Sequence, residues 1–236
     1  MGEILPVSQG AEQKKSSVQE IDIDAPAGII EGNLMRCLIT STASGVPPNI
    51  TMDDGLWQQI VQIEMDVALA GTMAGYYKIA TDSEPATYTA RISGGANLNM
   101  TGQISQYSGV NTDTPQDALR TILVNQETAT FNPPSIDAAT PKAMVETCVF
   151  GRQSGILTPS PPSGYTEYGD AKGSTYYAAC AYKEVSGAGT EDPGIWDTFS
   201  VTASCMGFTW IMRPVGQGGD SAIGAGIGSG IGTGIG

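Results

Sequence analysis

The sequence contains no histidine, and this absence removes several kinds of chemistry at once. Histidine is the side chain that ordinarily titrates closest to neutral pH, so the commonest general base is missing. Ser-His-Asp and Cys-His catalytic groups are therefore excluded, and so are zinc sites that combine cysteine with histidine. A P-loop sequence is also lacking. We therefore expect a protein that is not an enzyme and that carries no cofactor or metal.

Basic residues are scarce, and long apolar runs are missing. Only 11 Lys and Arg stand against 24 Asp and Glu, a net charge of −13, and the basic residues are scattered. Phosphate recognition needs clustered positive charge, so we expect neither a nucleic-acid partner nor a membrane partner. No stretch approaches the ~18 apolar residues of a membrane-spanning helix, and residues 1–6 do not resemble a signal peptide. The sequence thus predicts synthesis in a cytoplasm.

Cysteine is present but unpaired in sequence. The four cysteines, Cys37, Cys148, Cys180 and Cys205, show no C-x-x-C spacing, and each lies in a strand-like run. Buried free cysteines behave as small apolar side chains. We therefore predict four buried thiols that serve packing rather than redox or metal chemistry.

The middle of the chain presents one pattern twice. An apolar run that contains Cys37 is followed by a double proline, then Trp57, then Tyr77-Lys78. A second run that contains Cys148 is followed by a double proline, then Tyr165, then Tyr182-Lys183, at nearly constant offsets. Such self-similarity predicts a duplicated β-unit in which Cys37 and Cys148 are equivalent core positions.

Strand-like periodicity dominates the rest of the sequence. Apolar and polar residues alternate over 18–24 and 86–92, and residues 61–69 fit a strand better than one face of a helix. Further strands are expected over 76–80, 99–107, 128–131, 143–150, 174–183, 198–203 and 207–212, with one helical turn at Ala118-Leu119. Short strands separated by Gly and Pro turns predict an all-β fold, an antiparallel jelly-roll-like β-sandwich. Two small sandwiches are the alternative.

The two ends differ from the middle in composition. Residues 1–17 are largely polar and predict an N-terminal arm, whereas residues 18–215 would form the sandwich with its two pseudo-repeats. Residues 216–236 form a Gly-rich C-terminal tail in which Gly occupies every second position from Ile223. A flexible tail is one interpretation, and close packing of chains in an assembly is the other.

Few residues are candidates for a binding site. Carboxylates are paired in sequence at Asp22/Asp24 and Asp53/Asp54, but adjacency does not establish the separation that a glycosidase needs. Asp53-Asp54-Gly55 predicts a turn, with calcium binding as the alternative. Trp196 lies in a Pro-Gly loop and is the aromatic residue best placed for an exposed contact with a glycan.

Several short motifs, in a consistent order, resemble β-sandwich proteins of tailed-bacteriophage virions. They are Ala25-Pro26-Ala27-Gly28 leading to Gly32-Asn33-Leu34, then Ser83-Glu84-Pro85, Gln106-Tyr107-Ser108-Gly109-Val110 and Pro162-Ser163-Gly164-Tyr165-Thr166. Asn33 stands where that family usually has Asp, and Asp54-Gly55-Leu56-Trp57 is a degenerate first copy of the Pro-x-Gly-aromatic turn. The resemblance transfers no catalytic residue.

The resemblance implies a structural protein of the virion, of the fibre, head-decoration or other accessory type. Its expected partners are further copies of itself, as a homo-oligomer, and other virion proteins, with a host-surface glycan as a further possible ligand. The alternative function is a carbohydrate-binding module that uses exposed loop aromatics.

Overall fold

The computed structural model describes residues 2–43, 45–65, 70–94, 97–153, 159–172, 175–197 and 203–216, except for the side chains of 125–127 and 171–172. These residues form sixteen β-strands: β1 (Leu5–Gln9), β2 (Gln13–Val18), β3 (Glu20–Asp24), β4 (Leu34–Thr42), β5 (Ile50–Met52), β6 (Gln58–Met65), β7 (Gly71–Ile79), β8 (Thr87–Ile92), β9 (Leu98–Ser108), β10 (Gln116–Thr128), β11 (Ile136–Ala138), β12 (Met144–Arg152), β13 (Thr166–Lys172), β14 (Tyr176–Glu184), β15 (Gly189–Glu191) and β16 (Ala203–Met212). The chain is all-β and antiparallel over these ranges, and no helix there is long and apolar enough to cross a membrane.

The strands form two large sheets and two small ones. The first large sheet has the order β1-β9-β4-β7-β6, with β2 also paired to β9, and the second has the order β10-β16-β12-β14-β13. The small sheets are β3-β8-β5 and β11-β15. Strands that are distant in sequence are therefore neighbours in every sheet.

The strand order shows the duplication directly. The order β9-β4-β7-β6 in the first large sheet recurs as β16-β12-β14-β13 in the second. Strand β2 lies beside β9 as β10 lies beside β16, and the pair β3-β8 corresponds to β11-β15. We call residues 5–108 the first repeat and residues 116–212 the second repeat.

Packing arranges the sheets in four layers. The two large sheets face each other across a central core, to which the first repeat contributes Leu34 and Leu38 and the second contributes Phe150 and Phe208. The outer face of each large sheet is covered by the small sheet of the same repeat, around a separate outer core. Side chains alternate between the two faces of a strand, so each large sheet is buried on both sides.

Two glycines hold the same position in the two repeats. Gly102 lies opposite Ile39 in the first repeat, and Gly207 lies opposite Val149 in the second. A Cβ atom at either glycine would collide with a side chain of the outer core, Ile23 or Phe131 respectively. The duplicated fold therefore depends on close approach at the same point of each outer core.

Alternation along β4 and β12 corrects the expected equivalence of Cys37 and Cys148. Cys37 belongs to the outer core of the first repeat, whereas Cys148 belongs to the central core. The two cysteines therefore point in opposite directions, and the equivalent of Cys148 is Leu38. An alignment of two strands that is wrong by one residue assigns every side chain to the opposite face of the sheet. With the corrected register, Arg36 is equivalent to Glu146.

Most of the predicted strands are confirmed, and the differences lie at pairings between distant segments. Strands around 18–24, 76–80, 86–92, 99–107, 143–150, 174–183 and 207–212 are present. The strand expected over 61–69 is observed as Gln58–Met65, and residues 66–69 lie outside the described residues. The helical turn at Ala118-Leu119 is wrong, because these residues belong to β10. The strand expected at 128–131 is wrong in part, because β10 ends at Thr128 and Phe131 forms only an isolated bridge. Most of 198–203 lies outside the described residues.

The polar N-terminal segment is part of the first large sheet rather than a free arm. Strands β1 and β2 both pair with β9. The amide of Gly2 donates to the carbonyl of Val215 at 3.3 Å, so the described chain begins and ends at one place. The predicted Gly-rich tail lies outside the described residues beyond Gly216.

Candidate functional site

Trp196 is buried, so its predicted role as an exposed glycan contact is wrong. Its exposed fraction is 0%, and its ring belongs to the outer core of the second repeat. The backbone of Trp196 pairs with Phe131, and its Nε1 donates to the hydroxyl of Thr147 at 3.5 Å. This pairing between two loops directs the ring inward.

A surface groove lies beside Trp196. Its volume is about 750 Å³, and its apolar wall includes Ile195, which is 51% exposed, and Pro161. Ser160 and Asp197 add polar groups, and their backbones pair with each other. No aromatic ring lines this groove among the described residues, so it offers hydrogen bonds and aliphatic contact but no stacking surface for a sugar.

The predicted turn at Asp53-Asp54-Gly55 is confirmed. Gly55 has a φ of 68°, and the Asp54 carboxylate accepts a hydrogen bond from the amide of Leu56 at 3.1 Å. The Asp53 carboxylate instead accepts from Nε of Arg91 at 2.7 and 2.8 Å. Each carboxylate therefore has a partner within the protein, in the manner of a structural turn.

Each repeat contains a lysine that is paired with glutamate and lies over an aromatic ring. In the first repeat, Nζ of Lys78 lies 2.9 Å from Glu84 and 5.8 Å from the ring centre of Trp57. In the second repeat, Nζ of Lys183 lies 2.7 Å from Glu191 and 5.6 Å from the ring centre of Tyr165. The Tyr-Lys motif therefore recurs because both repeats use the same ion pair and cation–π contact.

Glu84 is the more deeply buried carboxylate of these two pairs. Burial alone would raise its pKa, but hydrogen bonds from Tyr88, Thr81 and Lys78 outweigh it and lower the pKa to about 2. The pKa of the Tyr88 hydroxyl is raised in turn by burial and by Glu84. This carboxylate is therefore held ionised by its partners.

A buried charged network lies between the large sheets, where the repeats meet. The guanidinium of Arg36 pairs with the carboxylate of Glu146, and both side chains are at most 1% exposed. The same carboxylate accepts hydrogen bonds from Tyr107 at 3.1 Å and from the indole of Trp210. Arg36 and Tyr107 belong to the first repeat and Trp210 to the second, so Glu146 connects the two halves.

The pKa values of Arg36 and Tyr107 are both shifted within this network. Burial is the largest single effect and disfavours the charged form of Arg36, but the charge and hydrogen bond of Glu146, together with Tyr107 and Tyr168, outweigh it and raise the pKa of the guanidinium. Burial and the negative charge of Glu146 raise the pKa of the Tyr107 hydroxyl well above its usual value. Tyr107 therefore stays a neutral hydrogen-bond donor to Glu146.

Two of the four cysteines that were predicted to be free thiols instead form a disulfide. Cys148 and Cys180 lie directly opposite each other on β12 and β14 and form a disulfide, with a Cα–Cα distance of 4.2 Å. Cys37 and Cys205 are buried thiols, as predicted. Burial raises the pKa of both thiols, that of Cys205 to about 12, so neither is a nucleophile at neutral pH.

Among the described residues, Glu146, Cys148 and Cys180 form a cluster with the spacing of a metal site, but their ligand atoms already make other bonds. One carboxylate oxygen of Glu146 and the sulfurs of Cys148 and Cys180 lie within 4.8 Å of one another. The sulfurs are bonded to each other, and the carboxylate accepts from three donors. These atoms are therefore occupied in holding the core together.

Comparison with protein-family models, with curated proteins and with solved structures finds no match for the chain. The sequence did contain a signal for the central network that the pattern analysis missed. Arg36 and Glu146 are charged residues inside apolar runs, at matching places in the two copies and with opposite signs. Aligning the copies on their cysteines concealed this match, because that alignment is shifted by one residue.

Proposed function

We propose that this chain is a non-enzymatic structural protein of a tailed-bacteriophage virion, of the head-decoration, fibre or other accessory type. It would assemble with copies of itself and with other virion proteins after synthesis in the host cytoplasm. The sequence motifs that resemble virion β-sandwich proteins motivate the proposal. We further propose that each repeat is jelly-roll-like, because β2-β9-β4-β7 and β3-β8-β5 place sequence-distant strands side by side, as Greek-key connections do.

The observation that carries the proposal is how the interior polar groups are used. The buried carboxylate of Glu146 binds Arg36 and Tyr107 across the repeat interface and Trp210 within its own repeat. The nearby sulfurs are joined in a disulfide. A protein whose buried charge and sulfur serve cohesion suits a structural role in a particle. Loss of either Arg36 or Glu146 would leave the other charge buried and unpaired, which would destabilise the protein. The pair therefore favours one fixed arrangement of the two repeats.

Peptide analysis of purified particles tests this function. Virions of the phage that encodes the chain, separated from host protein by density gradient, should yield peptides of residues 5–216 in fixed ratio to the major capsid protein. A second fraction, made of the lysate proteins that do not sediment with particles, provides the control. Absence of the chain from particles, together with its abundance in the control fraction, would overturn the proposal.

A carbohydrate-binding role is the second candidate, and the groove beside Trp196 is the observation that favours it. Its sugar contacts would be hydrogen bonds to Ser160 and Asp197 with aliphatic contact at Ile195. A glycan array probed with the wild type and with Asp197→Ala tests this role. Binding that Asp197→Ala does not weaken would contradict a role for the groove.

A further inference from the structure

A small cleft lies between the two large sheets, beside the buried pair of Arg36 and Glu146. The space that it leaves for the centre of a water molecule is about 10 Å³, which is close to the least that holds one water. Its walls come from both repeats and include Arg36, Thr101 and Gln103 from the first and Gly169, Ala178 and Cys180 from the second. The cleft therefore has the size of a site for a single water molecule.

Arg36 brings a hydrogen-bond donor without a partner to this cleft. Its side chain is 1% exposed, and one of its terminal nitrogens pairs with Glu146. Its Nε, however, has no hydrogen-bond partner among the described residues. A buried ion pair is favourable only when its remaining protons are also hydrogen-bonded, because a buried donor has lost the water that it would otherwise bind. The guanidinium therefore needs one more acceptor.

Gln103 brings an acceptor to the same cleft. Its Nε2 donates to the carbonyl of Gly10 at 3.1 Å, which leaves its Oε1 to accept a hydrogen bond. A Cβ atom on Gly169 would collide with that oxygen, so the oxygen lies against the backbone bulge of β13. Gly169 has a φ of 82° and no side chain, and the bulge therefore leaves this space open. The walls of the cleft thus offer both a donor and an acceptor.

The equivalent place in the other half of the sandwich is filled by an apolar ring. Leu38 lies opposite Gln103, whereas its equivalent Cys148 lies opposite Phe208. The ring of Phe208 reaches the first large sheet, where a Cβ atom on Gly75 would lie only 3.2 Å from it. The duplicated fold therefore packs closely at this point when the residue is apolar. The cleft follows from the glutamine at position 103 rather than from the fold.

We propose that one ordered water molecule occupies this cleft, accepts a hydrogen bond from Nε of Arg36 and donates one to Oε1 of Gln103. The water completes the hydrogen bonding of the guanidinium that joins the two repeats. Water suits the site better than an anion does, because Glu146 already neutralises Arg36 and would repel a second negative charge. The site belongs to the fold and does not depend on the proposed function.

Nuclear magnetic resonance of the isotope-labelled, full-length chain tests the site. The Nε proton of Arg36 should show a rotating-frame Overhauser contact with water. The sign of that signal separates a bound water from exchange of the proton with the solvent. A crystal structure of the wild type should show the same water within hydrogen-bonding distance of Nε of Arg36 and Oε1 of Gln103.

The variant Ala178→Val places two further methyl groups in the cleft and should abolish the contact between water and Arg36. Its matched control is Ala179→Val, which adds the same groups at the next residue of β14, in the outer core of the second repeat. Both variants should lower the thermal midpoint, because both overpack a core. Only Ala178→Val should lose the water contact, so a general loss of stability does not account for the result.

An Arg36 Nε proton without a water contact in the wild type would overturn the inference. A contact that persists in Ala178→Val, or that disappears in Ala179→Val, would do the same. If Ala178→Val does not fold, Gln103→Leu replaces it, because it removes the acceptor and should likewise abolish the contact. An unchanged contact in Gln103→Leu would overturn the inference. Detection of the chain in virions bears on the proposed function alone, so the two proposals fail separately.

Discussion

Arg36 and Glu146 occupy equivalent positions in the two repeats and pair with each other in the buried interface between them. Two identical copies would place like charges against each other at this point. Because the charges are opposite, the first repeat pairs more favourably with the second repeat than either would with a second copy of itself. Interactions of this kind commonly contribute more to specificity than to net stability.

Removal of one charge should be more damaging than removal of both. We expect Glu146→Gln to lower the free energy of unfolding by about 3–5 kcal/mol, because it leaves Arg36 buried and uncompensated. The double variant Arg36→Leu/Glu146→Gln should recover part of that loss, because it removes the uncompensated charge and keeps an amide oxygen at position 146 as an acceptor for Tyr107 or Trp210. Urea denaturation of the wild type, Glu146→Gln, Arg36→Leu and the double variant measures the coupling. A Glu146→Gln variant as stable as the wild type would contradict this account.

The disulfide should make stability depend on redox conditions. Cys148 and Cys180 are 32 residues apart, so loss of the cross-link should cost about 3–4 kcal/mol by the chain-entropy relation. Alkylation of the unfolded, unreduced protein should label two cysteines, and a reductant should lower the thermal midpoint. The same reductant should not affect Cys148→Ala/Cys180→Ala. Labelling of all four cysteines without reductant would refute the pairing.

Glu84 should make stability fall steeply in acid. Its folded pKa of about 2 lies below the ordinary value of 4.5, so its contribution is fully present above about pH 4.5 and is lost as the pH falls towards 2. The full contribution is about 3 kcal/mol as an upper value. Denaturation between pH 6 and pH 3 should show a smaller decline for Glu84→Gln than for the wild type. Parallel curves for the two proteins would rule out this role.

Both equivalent glycines should lose stability when a methyl group is added, Gly207 the more. Gly102→Ala should cost about 1–3 kcal/mol, because its new Cβ meets the side chain of Ile23, and Gly207→Ala should cost more, because its new Cβ meets the backbone carbonyl of Cys148 as well as the ring of Phe131. Gly187→Ala is the matched control, since no atom lies within 4 Å of its Cβ position. Thermal denaturation compares the three variants. Equal stability of all three would show that the outer cores relax to admit the methyl group.

The sequence predicted strands well because alternation of polar and apolar residues is a local property. The orientation of those strands was harder to predict. The apolar run around Cys37 is buried on both faces, so its pattern does not show which face meets the other repeat. The pairing of β4 with β7 and β9 determines that choice, and these contacts join residues far apart in sequence.

Two errors have the same physical origin. A helical turn was expected at Ala118-Leu119, but pairing of this segment with β16 makes both residues part of a strand. Trp196 lies between residues typical of an exposed loop, yet its backbone pairs with Phe131 and places the ring in the core. In both cases a contact with a distant segment overrides local preference.

The contact between Gly2 and Val215 has a mechanical consequence. Because the described chain enters and leaves at one pole, tension applied to either end would act on the same small region, around β1 and the end of β16. Such tension would act first on the pairing of β1 with β9 and on the hydrogen bond between Gly2 and Val215.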